Sequence, residues 1–278
     1  MTTKLILVEG LPGSGKTTTA QFIADILNEQ GKVETALFLE GNLDHPADYE
    51  SVACLSESEF EALCAKNKEF NGVLREQAKR VGDDYFISYR KLNADTLMAQ
   101  LRPKDVYELP LEKHMAVVRD KWTDFAENAQ GQDRTYIFEC AFIQNPVTAA
   151  MIKYNAPKET VIAYVNELAK LIEPLHPVLV YVDQSDSERS FKKAIQERPK
   201  DWFDFFIDYY TSQGYGLAHE LSGLDGTLEV LRARKSLELE IMNQLAMKKV
   251  ILDNSDFDHD VHKSQLVQSL SKANLQKK

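Results

Sequence analysis

Gly10-Leu11-Pro12-Gly13-Ser14-Gly15-Lys16-Thr17 is the stretch that most constrains how this chain can fold. It fits G-x-x-x-x-G-K-[ST], the phosphate-binding P-loop (Walker A), and its surroundings fit as well. Lys4-Leu5-Ile6-Leu7-Val8 ahead of it is a short apolar run, as a buried strand requires. Thr17 to Gln30 behind it reads as a helix with Ala20, Ile23, Ala24 and Leu27 on one face. Glycines let the backbone bend tightly and turn its N–H groups toward a phosphate, and the helix N-terminus adds the positive end of its dipole. Lys16 is expected on the β- and γ-phosphates and Thr17 on Mg²⁺, with Gly10, Gly13, Ser14, Gly15 and Thr18 around the phosphate chain. The motif does not specify the fate of the γ-phosphate, because kinases, GTPases, transport ATPases and motors share it.

Four further apolar runs read as strands: Thr35 to Leu39, Thr135 to Phe138, Val178 to Val182 and Lys249 to Leu252. They are followed by Glu40, Glu139, Asp183 and Asp253. Helical patterns separate them, including Ser187 to Glu197, Thr227 to Ala246 and Val261 to Ser271. Strands alternating with helices predict an α/β fold with a parallel sheet covered on both faces, and ligands in such sheets bind at the carboxyl ends of the strands. The segment from about 43 to 131 is charged and reads as mostly helical, as in Glu57 to Lys66, Leu74 to Arg80 and Met115 to Glu127, with Tyr85 to Tyr89 extended after a turn at Val81-Gly82-Asp83-Asp84. Asn145-Pro146 reads as a chain break, and an aromatic run follows Pro199: Trp202, Phe203, Phe205, Phe206, Tyr209 and Tyr210.

With 278 residues, 44% of them hydrophobic, the chain suits one domain, residues 1–278, carrying a large insertion. The formal net charge is −10, from 43 acidic and 33 basic residues. That field repels a polyphosphate partner, and no basic run opposes it beyond the short Lys277-Lys278 tail, so nucleic acid is not an expected partner. Cys54, Cys64 and Cys140 form no metal or disulfide spacing and suit a reducing cytoplasm. Glu9 and Gly10 cut short any signal-peptide core, and no run approaches the roughly 18 apolar residues of a membrane helix.

The order P-loop, strand ending in Glu40, insertion, strand ending in Glu139, strand, Glu188-Arg189 helix and final strand resembles the nucleoside and nucleotide kinase group of P-loop proteins, thymidylate and deoxynucleoside kinases among them. The resemblance implies a three-layer sandwich on a five-stranded parallel sheet in the order 2-3-1-4-5. It also implies a helical acceptor-binding insertion at about 43–131, a lid at about 184–200, and ATP and Mg²⁺ as cofactors. Glu40 is similar in position to the carboxylate that takes the proton of the attacking hydroxyl. Glu139 stands where the group carries an acidic residue that organises Mg²⁺ or the acceptor. Which of the two is the general base stays open. Cys140 departs from the pattern, because Arg is common there.

The segment Asp183 to Arg189 resembles the start of the lid, with Arg189 the best candidate to neutralise charge on the transferred phosphoryl group and Lys192, Lys193 and Arg198 nearby. Asn254, after the last strand, falls where the group holds adenine. His45, Tyr89, Arg90, Arg119, Trp122 and the aromatic run near Phe206 are candidates to line the acceptor pocket. The expected activity is transfer of the γ-phosphoryl of ATP to a small-molecule hydroxyl or phosphate acceptor, nucleosides and nucleotides first, with sugars and antibiotics open. The rival reading is an ATP-binding switch whose insertion docks a protein. Leu221-Ser222-Gly223-Leu224 lacks the Gly-Gln that a transport-ATPase signature needs, and Asn67-Lys68-Glu69-Phe70 lacks the Asp of a guanine-reading motif.

Overall fold

The computed structural model describes residues 3–29, 31 and 34–272. Gln30, the expected end of the first helix, and the Lys277-Lys278 tail lie outside the described residues. The described residues form eight strands: β1 (Leu5–Glu9), β2 (Glu34–Phe38), β3 (Val52–Ser56), β4 (Lys79–Val81), β5 (Asp84–Ser88), β6 (Arg134–Glu139), β7 (Val178–Asp183) and β8 (Lys248–Asp253). The helices are α1 (Lys16–Glu29), α2 (Glu57–Lys66), α3 (Asn71–Gln77), α4 (Asp95–Leu101), α5 (Leu111–Gln130), α6 (Gln144–Val147), α7 (Lys158–Ile172), α8 (Ser187–Glu197), α9 (Lys200–Thr211), α10 (Gly214–Ala218), α11 (Gly223–Gln244) and α12 (His259–Lys272). They divide between two compact units, Met1–Glu40 with Trp122–Lys278, and Gly41–Lys121.

The first unit is an α/β sandwich built on a parallel sheet in the order β2-β6-β1-β7-β8, which is the order 2-3-1-4-5 among the core strands. Every residue of β1 is buried, as a central parallel strand covered on both faces must be. Ile6, Val8, Ile23, Ile137, Val180 and Leu266 meet in one core. Burying apolar side chains of this size stabilises the sheet by about 1.5–3 kcal/mol each. The register pairs Val8 with Glu139, Glu9 with Tyr181 and Asp183 with Asp253, so the strand ends carrying carboxylates share one edge. Cys140 donates its N–H to Val8 O at 3.1 Å, with φ at +69°, which turns the chain sharply off the sheet after Glu139.

The second unit differs from the mostly helical reading. Its β3, β5 and β4 form an antiparallel sheet in that order. β3 and β5 pair Cys54 with Phe86, and β4 and β5 form a hairpin closed by Gly82 at φ +60° and Asp83. The expected helix from Leu74 to Arg80 instead ends at Gln77, and Lys79-Arg80-Val81 becomes a strand. All three residues are exposed, so apolar periodicity carried no signal there; pairing with β5 decided the conformation. Phe60, Leu74, Ile87, Leu97 and Leu101 fill this unit's core, and Phe60 stacks on Tyr85 with ring centroids 4.3 Å apart. Ser56 and Glu59 cap α2 reciprocally.

Two other expectations are corrected in the first unit. Asn145-Pro146 does not break the chain. It lies in the first turn of α6, where the missing proline N–H has no helical partner to lose. Immediately after α6, Thr148–Lys153 forms a π-helical turn. Trp122, a candidate pocket residue, is fully buried against Phe125, Phe138 and Phe142 as core. Among the described residues no helix is long and apolar enough to cross a membrane.

Candidate active site

The P-loop takes its shape from glycines that no other residue could replace without strain. Gly10 follows β1 with φ +147°, and a Cβ there would lie 2.5 Å from Val182 O of β7. Gly15 has φ +98°, and a Cβ there would meet Asn254 Nδ2 at 2.5 Å. The loop closes on itself through Ser14 N–H donated to Leu11 O at 3.2 Å. Asn254 Nδ2 and Gln184 Nε2 both donate to Ser14 O, at 2.8 and 3.2 Å, pinning the loop from the ends of β7 and β8. Ser14 is buried, and its Oγ has no partner among the described residues. Lys16 is 5% exposed, with Nζ donating to Leu11 O at 3.0 Å, so the ammonium is folded over its own loop. An ammonium held over a glycine cradle at a helix N-terminus fits a polyphosphate chain.

Beside the loop stand the two expected carboxylates. Glu139, at the end of β6, accepts from Thr17 Oγ1 at 2.6 Å and from the Glu40 N–H at 3.1 Å. Glu40, exposed just past β2, accepts from Gln144 Nε2 at 2.9 Å and from the Cys140 thiol at 3.6 Å. Oxygens of Glu40 and Glu139 and the Cys140 sulfur lie within 4.8 Å of one another. Thr17, Glu139 and Glu40 offer the hard oxygen donors that suit Mg²⁺. Burial pushes the Cys140 thiol well above its usual range, so it stays protonated.

These groups line a cavity of about 660 Å³ that lies wholly within the P-loop unit. Gly13, Gly15, Lys16, Thr17 and Thr18 border it with Glu40, Glu139 and Asn254. Gly10 and Ser14 are not among the lining residues. Another wall is the aromatic face of α9, with Trp202, Phe205, Phe206, Tyr209 and Tyr210. Of the cations in the expected lid segment, Lys193 and Arg198 border the cavity. Lys193 pairs with Glu197 and lies over the Phe257 ring, and Arg198 stacks over Trp202 at 4.2 Å. Arg189 is exposed and is not among the lining residues; its N–H binds Asp186 Oδ1 at the start of α8. Lys192 is engaged by Glu188 on the same helix.

In the second unit, Tyr89 donates to Asp105 Oδ2 at 2.7 Å, Arg90 pairs with Glu50 at 3.5 Å, and Arg119 lies 3.7 Å from Asp120. Burial drops the His45 imidazole to about 4.

Three residues at the site carry no sequence signal of their own. Glu9 is fully buried at the end of β1 and accepts the N–H groups of Phe142 and Gln144, each at 2.8 Å. Burial outweighs those bonds and raises its carboxyl to about 7. His262 borders the cavity with Nε2 2.8 Å from Thr19 Oγ1, and burial lowers its pKa. Arg234 of α11 borders it too, and is 1% exposed. Burial opposes its charge, but Tyr210 and Glu238 outweigh that and hold the guanidinium above its usual range.

No family model matches the chain, and no curated protein matches it. Among solved structures, thymidylate kinase from Candida albicans is similar over 99% of this chain and 93% of that one, at 14% identity and a TM-score of 0.47. So remote a likeness speaks to neither activity nor substrate, and the functional reading rests on the site's own geometry.

Proposed function

We propose that this protein is a P-loop kinase that transfers the γ-phosphoryl group of ATP to a small-molecule acceptor, with nucleosides and nucleotides the first class to test. The observation that carries the reading is the contact of Thr17 with Glu139, with Glu40 beside it, on the border of a cavity that also holds Lys16. A passive nucleotide binder needs the loop but has no use for a second, exposed carboxylate at that point.

ATP with Mg²⁺ would supply the phosphoryl group and part of the charge neutralisation. The P-loop N–H groups and Lys16 would bind the phosphate chain, and Thr17 with Glu139 would hold the metal. Glu40, already an acceptor of hydrogen bonds from Gln144 and Cys140, orients an acceptor hydroxyl and takes its proton. Lys193 and Arg198 border the same space and stabilise charge spreading onto the phosphoryl oxygens. The aromatic wall of α9 excludes water and stacks on a planar acceptor or base.

The test is a metabolite screen for ATP-dependent phosphorylation with the wild type and Lys16→Ala. A product made by the wild type and lost in a folded Lys16→Ala supports the kinase. Slow hydrolysis with no phosphorylated product across the screen points to the switch, and full transfer by Lys16→Ala overturns the P-loop assignment.

A further inference from the structure

One charged group bordering the cavity is left unexplained by the P-loop and the two carboxylates. Arg234 is buried on α11, yet its hydrogen bonding is incomplete. Nε donates to Glu238 Oε1 at 2.7 Å, and Nη1 donates to Tyr210 OH at 2.8 Å and Thr148 Oγ1 at 3.2 Å. Glu238 is itself held by the Tyr181 hydroxyl at 2.7 Å. Nη2 has no partner among the described residues.

A guanidinium cannot shed its proton, so this edge stays charged and carries unpaired donors. A buried ion pair is weak evidence of a stabilising role, and an unsatisfied donor on it adds a cost. Both Nη1 partners also border the cavity, and Thr148 opens the π-helical turn, a local irregularity that concentrates at functional sites. Glu139 is followed by Cys140 and not by a cation.

We propose that Arg234 binds an oxyanion carried by the acceptor, so that the acceptor enters the cavity already bearing a phosphomonoester or an equivalent group. This deepens the kinase reading and rests on it for the donor's place on the P-loop. The fork of Arg234 is fixed in plane by Glu238, Tyr210 and Thr148, so Nη2 meets a phosphate oxygen with little further loss of rotamer freedom. The donor's terminal phosphate is the other source of the same chemistry, and the experiment separates the two.

Inorganic phosphate is titrated into the full-length protein saturated with a non-hydrolysable ATP analogue, which fills the donor's terminal phosphate position. The wild type binds phosphate, and Arg234→Lys weakens that binding about tenfold or more while its affinity for the analogue is unchanged. Absence of phosphate binding to the loaded wild type overturns the proposal, as does equal binding by both proteins. Parallel loss of analogue affinity in Arg234→Lys also overturns it and moves Arg234 to the donor. If the wild type fails to bind the analogue, the P-loop reading fails separately, and phosphate titration of the free proteins still decides the role of Arg234. Should Arg234→Lys not fold, a crystal structure of the wild type with analogue and phosphate decides: phosphate within hydrogen-bond reach of Nη2 supports the proposal, and phosphate placed elsewhere overturns it.

Discussion

Glu9 shows how much a single buried carboxylate can depend on its surroundings. Its folded pKa of about 7 lies above its ordinary 4.5, because burial disfavours the charge and Glu238 adds to the effect. Between those values the folded protein holds a proton that the unfolded chain has released. Stability linked to Glu9 is therefore full below about pH 4.5 and is lost as pH rises to about 7, to a total of about 3 kcal/mol. His45 works in the opposite direction, since its lowered pKa costs stability as pH falls from 6.5 toward 4. The expectation is that Glu9→Gln removes a falling component from the stability-against-pH curve between about pH 4.5 and 7, measured by urea unfolding. A curve with the same slope in both proteins rejects the assignment. Glu40 and Glu139 were legible at this scale because each directly follows an apolar run, so strand geometry alone puts it at the ligand edge. Arg234 was not, because its spacing to Glu238 is the same i,i+4 spacing that surface pairs use.

The decisive element is the turn from β1 into α1. Its conformation requires Gly10 at φ +147° against Val182 O, a combination of backbone torsion and close approach that no Cβ tolerates. Gly10→Ala is expected to destabilise the fold by about 1–3 kcal/mol or to abolish nucleotide binding by displacing the loop. Thermal unfolding and nucleotide titration check this together, and a variant unchanged in both rejects the close approach. The glycine pattern was readable because φ beyond +20° is a local property. β3 and β4 were not, since Val52–Ser56 is short and Lys79–Val81 is exposed, and both acquire strand structure from pairing with β5. The Asn145-Pro146 helix was hidden for a related reason: proline is read as a breaker unless the position within the turn is known.

At the level of the whole molecule, the P-loop unit contains every residue that borders the cavity, and Gly41–Lys121 has a core of its own. A ligand held by the cavity therefore stabilises the parallel-sheet unit directly. Saturation with Mg²⁺ and an ATP analogue at a hundredfold excess over Kd is expected to add about 2.7 kcal/mol, read as an upward shift of the corresponding calorimetric transition. No shift at millimolar analogue rejects the donor site.

The sequence by itself determined the phosphate loop, the alternating apolar strands and the carboxylates that close them. These follow from local rules: glycine torsions, burial of continuous apolar runs and the side-chain order at strand ends. Only the tertiary structure decided which cations border the cavity, that Arg189 is not among them, and that Arg234 is buried there with a donor unpaired among the described residues. Burial and pairing between residues far apart in the chain set those properties, and no local pattern encodes them.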